Sequence, residues 1–441
     1  MKEPDALPSF FRYINKVFAF RASLQTLRDG RTAPAVPPAA VFQAVFYGFV
    51  FRRRSFHQLE ADLADPFLQH WVGVAAPFRE DTLRYSYSSF ALDPLEAMLE
   101  GVNQRLKRNK VFRPGQVAGR IVAALDGVEI LASYSRCCEA CLTRTVREKT
   151  ARGELVEREQ YYHRAVGCQI VSSPVKPLLG VEWVAAGEDE VAAAKRLLAK
   201  VRDRYGRRFF DVLLLDSLYA QAPVLQLAQN LGWDLVIVLR QEHRDLYQDA
   251  QGLFAQRPPD RAFVESHPGQ RVQVQLWDQE GLPFTQGHPQ PVRVLRADEQ
   301  VTEHRVRGGR RTPVTTEHHW VWIATLDAQT VNARTLWQLG HMRWRNENNG
   351  WNDLTRNWEM KHGFLHACQH RVKQPGSDQP VANHGLAAVV LTMCIAFALF
   401  TAFTLLHSKL YRTRRITYRE VAAALYRSML RTLPPIRAPD A

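Results

Sequence analysis

Two apolar runs in this chain end on aspartate: residues 120–126 (RIVAALD) and residues 210–216 (FDVLLLD). Each reads as a buried strand whose last residue, Asp126 or Asp216, carries a charge. Such a carboxylate is costly unless something cationic offsets it. The cation usually met by oxygen donors at such a place is divalent. A third acid, Glu347, lies in a stretch of helical texture, LGHMRWRNENNGWNDL. These three positions commit the chain to an α/β architecture in which strand ends converge.

Composition narrows the partners. At 441 residues the chain exceeds a single core, so two or three domains are expected. The apolar share of 46% and charged share of 23% exclude global disorder. A net charge of +14 points to a polyanion, either nucleic acid or an anionic membrane surface. The first residues, MKEPDALPSFFRY, lack the apolar core of a signal peptide. Residues 386–406 carry no charge and are long enough to span a bilayer, but a helix buried on all sides has the same signature. The core helix is the expectation here, with no membrane. Six cysteines, clustered rather than spread as a disulfide framework, suit a cytoplasmic protein.

The texture changes along the chain. Residues 1–112 read as helical, a DNA-binding or dimerisation region. A helix-turn-helix and a plain helical bundle both fit it. The stretch SFHQLEADLADPFLQHWVG has helical spacing behind a serine cap, and Asp81 or Thr82 suits a cap for the next helix. From residue 117 strands take over. Residues 120–126 and 128–132 form either a hairpin at Asp126-Gly127 or one bent strand. Strands follow at 161–171 and 178–185, then a helix (EDEVAAAKRLLAKVRDRYG), the strand 210–216, the helix APVLQLAQNLG and the strand 233–239. With one bent strand, this is the order of a ribonuclease-H-like core, spanning 117–241 and 317–407. Residues 242–316 read as a β-rich insertion, after which HHWVWIATL returns to the core. Residues 408–441 form a basic C-terminal tail.

Two metal ions held by shared carboxylates can serve the attacking and the leaving oxygen of a phosphodiester. Asp126, Asp216 and Glu347 suit that demand, with Mg2+ keeping several waters. Taken singly, each Asp is equally a turn residue and Glu347 a solvated helix charge. Arg343, one helical turn before Glu347, can orient the carboxylate, bind a phosphate or form a simple i,i+4 ion pair. Arg343, Arg356 and Lys361 are the candidate phosphate contacts near the acids. Further basic candidates are Arg52, Arg53, Arg54, Lys107, Arg108, Lys110, Arg307, Arg310, Arg311, Arg414 and Arg415, which would position a duplex without reading its sequence.

The stretch RWRNENNGWNDL resembles the signature helix of bacterial insertion-sequence DDE transposases with a β-strand insertion before the third acid. That helix bears Tyr, Arg, Glu and Lys at set spacing. Arg343, Trp344, Glu347, Asn348 and Asn352 match its core, with Trp351 in place of a Phe and Asn346 in place of an Ile. The resemblance spans roughly residues 118–406. It implies that Asp126, Asp216 and Glu347 are catalytic and bind Mg2+, for which Mn2+ can substitute. It further implies cut-and-paste DNA transposition by hydrolysis and strand transfer. The partners would be terminal inverted repeats and target DNA, and the setting a homodimer in the bacterial nucleoid. The family's Tyr falls on Gly340 and its Lys on Leu354, so its contacts to end phosphates have no counterpart at these positions. A catalytically inactive DNA-binding relative is the alternative.

A second cluster is separate from the acids. Cys138 and Cys141 form a CxxC pair, His163 follows, and His362, His366 and His370 recur around Cys368. Cys138, Cys141 and His163 are candidate ligands for structural Zn2+; the alternative is free thiols with histidines lining a polar face.

Overall fold

The run that ends in Asp126 forms β1 (Val122–Ser133), and the strand does not stop at the aspartate. The computed structural model describes residues 6–149, 153–240, 244–284, 287–307, 310–346, 352–362, 364–366, 384–407 and 416–431. β3 (Leu155–Ile170) pairs with β1 on both sides of the Asp-Gly step, with Leu125 opposite Cys168, Asp126 opposite Gly167 and Val128 opposite Ala165. The DG pair is therefore not a turn. A register shift between Glu129 and Leu131 supplies the irregularity instead.

On its other edge β1 pairs in parallel with β5 (Val212–Leu215), which pairs in parallel with β6 (Asp234–Val238). Parallel neighbours need crossovers, and two helices provide them: α8 (Glu190–Tyr205) before β5 and α9 (Ala222–Leu231) before β6. Asp189 caps α8 by accepting from the Ala192 amide at 2.8 Å, and Arg202 and Arg204 occupy its last turn. β4 (Leu178–Trp183) pairs with the inner half of β3. One strand has no counterpart in the sequence reading. β2 (Leu142–Lys149), polar and mostly exposed, pairs with the outer half of β3 and prolongs it beyond the core.

The insertion differs from expectation. It opens with a helix, α10 (Asp245–Ala255), and continues in β7 (Arg261–His267), β8 (Gln270–Leu282), β9 (Val292–Arg307) and β10 (Arg310–Ala324). These strands do not form a separate sheet. β10 pairs with β9 along its whole length, and its last residues pair with β6, Trp322 facing Val238. The boundary expected at 316–317 thus falls inside one continuous strand. The ten-stranded sheet runs β2-β3-β1-β5-β6-β10-β9-β8-β7, with β4 beside β3.

Seven helices precede the sheet: α1 (Ala6–Phe18), α2 (Phe20–Leu24), α3 (Pro38–Val50), α4 (Phe56–Leu63), α5 (Pro66–Val72), α6 (Glu80–Ser88) and α7 (Leu92–Arg108). The single helix expected after Ser55 is two. Ser55 does cap α4, but Asp65-Pro66 starts α5 afresh, because proline suits a first helical turn and not an interior one. The α6 cap is Arg79, not Asp81 or Thr82, and the Glu60 carboxylate accepts from the Glu80 amide at 2.7 Å.

These helices enclose the long apolar segment, which forms α13 (Gly385–Ala402) and a π-helical turn to His407; α11 (Ala333–Asn346) and α12 (Asn352–Asn357) precede it. It is long and apolar enough to cross a membrane, yet 89% of its apolar window is buried inside the protein. α3, α6, α7 and β4 all pack on it. Its threonines return their hydroxyls to the helix, Thr401 to the Phe397 carbonyl at 2.7 Å and Thr404 to Phe400 at 2.9 Å. Thr392 also meets the buried Tyr87 hydroxyl at 3.0 Å.

The basic tail is not wholly a tail. Residues Tyr418–Met429 form α14, started by a capping box between Thr417 and Glu420, and bury Val421, Leu425 and Met429 against the N-terminal helices. Ser428 accepts from the Leu7 amide at 3.1 Å. The basic run at 52–54 is likewise consumed internally. Arg52 lies 3.7 Å from the Trp358 ring centroid and donates to the Asn357 carbonyl, and burial pulls its guanidinium down to about 10. Arg53 forks onto Asp62 and stacks on Tyr426, while Arg54 pairs with Glu359. Arg52 and Arg53 therefore clamp the two ends of the chain together rather than presenting themselves to phosphate.

Leu425 is fully buried. Leu425→Asp places an unpaired carboxylate there at a cost of about 3 kcal/mol, which raises the undocked fraction of α14 on the order of a hundredfold. Trypsin cleavage after Arg419 and Arg427 is expected to accelerate accordingly. Unchanged cleavage would show that this contact does not hold the helix.

Candidate active site

The parallel pairing of β1 with β5 matches Val122 to Val212, Ala123 to Leu213 and Ala124 to Leu214. Two residues beyond the last pair, Asp126 continues β1 and Asp216 follows the end of β5, so the two acids lie on adjacent chain paths and both act on the Tyr219 phenol. Asp126 Oδ1 accepts from the Gly127 amide at 3.0 Å. Asp216 caps the short 3-10 turn Ser217–Tyr219, Oδ1 accepting from the Leu218 amide at 2.9 Å, while Oδ2 lies 3.4 Å from Arg343 Nη2.

A fourth acid underlies the pair. Glu190, in the first turn of α8, is buried, accepts from the Tyr219 hydroxyl at 2.7 Å and is ion-paired with Arg164. Burial, and then the charges of Glu190, Asp216 and Asp126, push the Tyr219 phenol far above its ordinary range, which keeps it protonated and donating. Gly127 permits this approach, since a Cβ there would stand 2.2 Å from Glu190 Oε2. Sequence reasoning, which read this stretch only as a helix, missed this contact. The available signal was the glycine directly after a strand aspartate.

Arg343 comes from α11 (Ala333–Asn346), which lies across β1, β5 and β6. The insertion holds this helix: Glu299 of β9, itself buried, accepts from Trp337 Nε1 at 2.6 Å and meets His341 Nε2 at 2.7 Å. Gly340 faces the Trp322 indole of β10, where an added Cβ would come within 2.5 Å. Leu354, in α12 (Asn352–Asn357), is fully buried. Both positions where the signature helix would carry Tyr and Lys are therefore packing positions in this chain. Glu347, Asn348 and Trp351 lie outside the described residues. Arg356 is exposed on α12, and Lys361 is exposed on a 3-10 turn, Met360–His362, that rests against β1.

The cysteine–histidine cluster assembles, with one member more than expected. Cys138, Cys141 and His163 are joined by His366, and their ligand atoms all lie within 4.8 Å of one another. His362 is exposed against Phe364 and takes no part; Cys368 and His370 lie outside the described residues. Burial pushes the Cys141 thiol up to about 11 and the His163 imidazole down to about 4, His366 adding to the latter. A cleft of about 360 Å³, lined by Cys141, Tyr162, Arg164, Glu190 and Leu218, runs from this cluster towards the Asp216 turn.

Residues 122–351, more than half of the chain, match the transposase DDE domain, and the chain belongs to that family. The matched span contains Asp126, Asp216 and Glu347. No curated protein matches the chain. Among solved structures it is similar to the piggyBac transposase synaptic complex with hairpin DNA, seen by cryo-EM, at a TM-score of 0.40 and 12% identity, covering 100% of this chain and 87% of that one. Membership of the family makes this a DNA transposase in the general sense, with dependence on a divalent metal. Carboxylate oxygens such as those of Asp126 and Asp216 are the hard donors that Mg2+ or Mn2+ requires.

Gly340→Ala is expected to cost about 1–3 kcal/mol of stability by overpacking against Trp322, read as a lowered urea midpoint at unchanged slope. A midpoint equal to wild type would mean that the helix shifts freely on β10.

Proposed function

We propose that this chain is the cut-and-paste transposase of a bacterial insertion sequence, with a ribonuclease-H-like catalytic core. The observation that carries the reading is that Asp126 and Asp216 follow the paired residues of two adjacent parallel strands and both act on Tyr219. The strand order β4-β3-β1-β5-β6, with helices crossing between the parallel members, supports the core assignment. Glu347, four residues after Arg343 and within the matched family span, completes the triad in this proposal.

Asp126, Asp216 and Glu347 would hold the divalent metal, which when bound activates the attacking oxygen and stabilises the leaving one. The protein's own contribution is charge and position. The Gly127 and Leu218 amides each hold one oxygen of an aspartate and so help to set the orientation in which the carboxylates would meet the metal. Arg343, at 3.4 Å from Asp216, orients that carboxylate and offers positive charge for a phosphate above it. Tyr219 and Arg164 hold Glu190 so that its charge does not add to the pair from below. Water attacks first, then a DNA 3′-hydroxyl, with no bond to a protein side chain. The DNA partners would be terminal inverted repeats and target DNA, bound by a dimer in the cytoplasm. The helical residues 1–112 would contribute to DNA binding or dimerisation, with exposed Arg108 and Lys110 as phosphate contacts.

A nicking and strand-transfer assay on the inverted repeats flanking the reading frame tests this. Activity is expected in Mg2+ or Mn2+ and none in chelator. Asp126→Asn, Asp216→Asn and Glu347→Gln should each lower it by at least about a thousandfold, and Arg343→Lys by about tenfold to a hundredfold. Activity surviving Glu347→Gln would overturn the triad. Duplex binding without nicking by the wild-type chain would favour the inactive relative.

A further inference from the structure

We propose that Cys138, Cys141, His163 and His366 bind one Zn2+ in a closed tetrahedral site, and that this site staples the segment after the catalytic helix to the strand carrying the first aspartate. The four residues come from three separate places. Cys138 and Cys141 lie between β1 and β2, His163 stands on β3 opposite Leu131 of β1, and His366 follows the 3-10 turn after α12.

Their spacing is that of ligands around an ion. The Sγ atoms of Cys138 and Cys141 are 3.6 Å apart, and His163 Nε2 lies 3.3 Å from the first and 3.4 Å from the second. His366 Nε2 lies 3.2 Å from Cys141 Sγ. Zn–S bonds of about 2.3 Å and Zn–N bonds of about 2.0–2.1 Å at tetrahedral angles give S–S and S–N edges of roughly 3.5–3.8 Å, so the four edges above lie within a few tenths of an ångström of those around zinc, and all four ligand atoms lie within 4.8 Å of one another. A disulfide is excluded by the same 3.6 Å, since bonded sulfurs lie about 2.05 Å apart.

A plain hydrogen-bond cluster accounts for the contacts poorly. Cys141 Sγ is approached by four groups: Cys138 Sγ, both imidazole nitrogens and the Cys138 amide, which donates to it at 3.2 Å. A thiol has a single proton to give, whereas a metal-bound thiolate accepts an amide readily. Cys141, His163 and His366 are buried, so water does not serve the site as it would a surface cluster. Two soft sulfurs and two imidazoles select zinc over the hard ions that suit the aspartates. With four protein ligands no position stays open for substrate, so the role is structural.

The metal site stands independently of the proposed reaction; only the stapling role rests on Glu347 being the third acid. Zinc content of the purified full-length chain is expected near one per molecule, with X-ray absorption showing two sulfur and two nitrogen neighbours. Substituted Co2+ should give thiolate charge-transfer bands. Cys138→Ser and His366→Ala should lose the metal, while Cys137→Ser and His362→Ala keep it and His366→Cys keeps it with a third sulfur. Asp126→Asn should abolish nicking and retain zinc, which separates failure of the two readings. A wild-type chain expressed with zinc that carries none and gives no cobalt bands would overturn the site. If chelation did not speed trypsin cleavage at Lys361, Arg371 and Lys373, the staple would be overturned.

Discussion

Everything at the catalytic end of this molecule follows from one parallel pairing. β1 and β5 run together in a parallel register whose continuation carries Asp126 and Asp216 on adjacent paths. Two like charges at strand spacing repel by on the order of 3 kcal/mol at an effective dielectric of about 20. The surroundings answer that repulsion. Arg343 approaches Asp216, backbone amides are turned to both carboxylates, and Glu190 beneath them is tied to Arg164 and Tyr219. A hard divalent cation, which the family requires, would offset the same repulsion by binding carboxylate oxygens.

The pairing holds only because the sheet has a floor. α13 is apolar around its whole circumference, and a helix of that kind needs cover on every side. The N-terminal helices supply it on one side and β4 on another, so the regions before and after the sheet share one core. Arg52 and Arg53 close the arrangement, lying over Trp358 and Tyr426 from opposite ends of the sequence. Cation–π contacts of this buried kind contribute about 2 kcal/mol. A basic stretch that looks made for phosphate is spent on holding the fold.

The sequence disclosed what depends on local pattern and concealed what depends on distant pairing. The apolar strand segments that lead into Asp126 and Asp216, the helix α8 and the buried α13 were legible, because apolar runs and helical spacing are written within a few residues; that β1 runs on past Asp126 was not. β2 was not, since LTRTVREK has no apolar face and is a strand only because β3 continues past the core. The merging of the insertion into the main sheet was hidden for a similar reason: nothing near residue 316 announces that β10 runs through it. At the Cys–His cluster, the spacing gave a CxxC pair and His163, but choosing His366 over His362 needed the three-dimensional path of the chain. Gly340 and Leu354 read as departures from a signature. In the fold they are the positions where the helix meets Trp322 and the core.

That last point bears on Glu347, the third acid of the proposed triad. The stretch containing Glu347 is bracketed by two anchors of different chemistry. Before it, α11 is fixed on the insertion by Glu299 with Trp337 and His341, and by the close meeting of Gly340 with Trp322. After it, His366 returns to Cys141 and His163 beside the strand that carries Asp126. A tyrosine at position 340 would add a contact for DNA only by lifting α11 off β10 and carrying Arg343 away from Asp216. Close packing of this helix and a bulky DNA-facing residue at that position are mutually exclusive, and this chain has taken the packing.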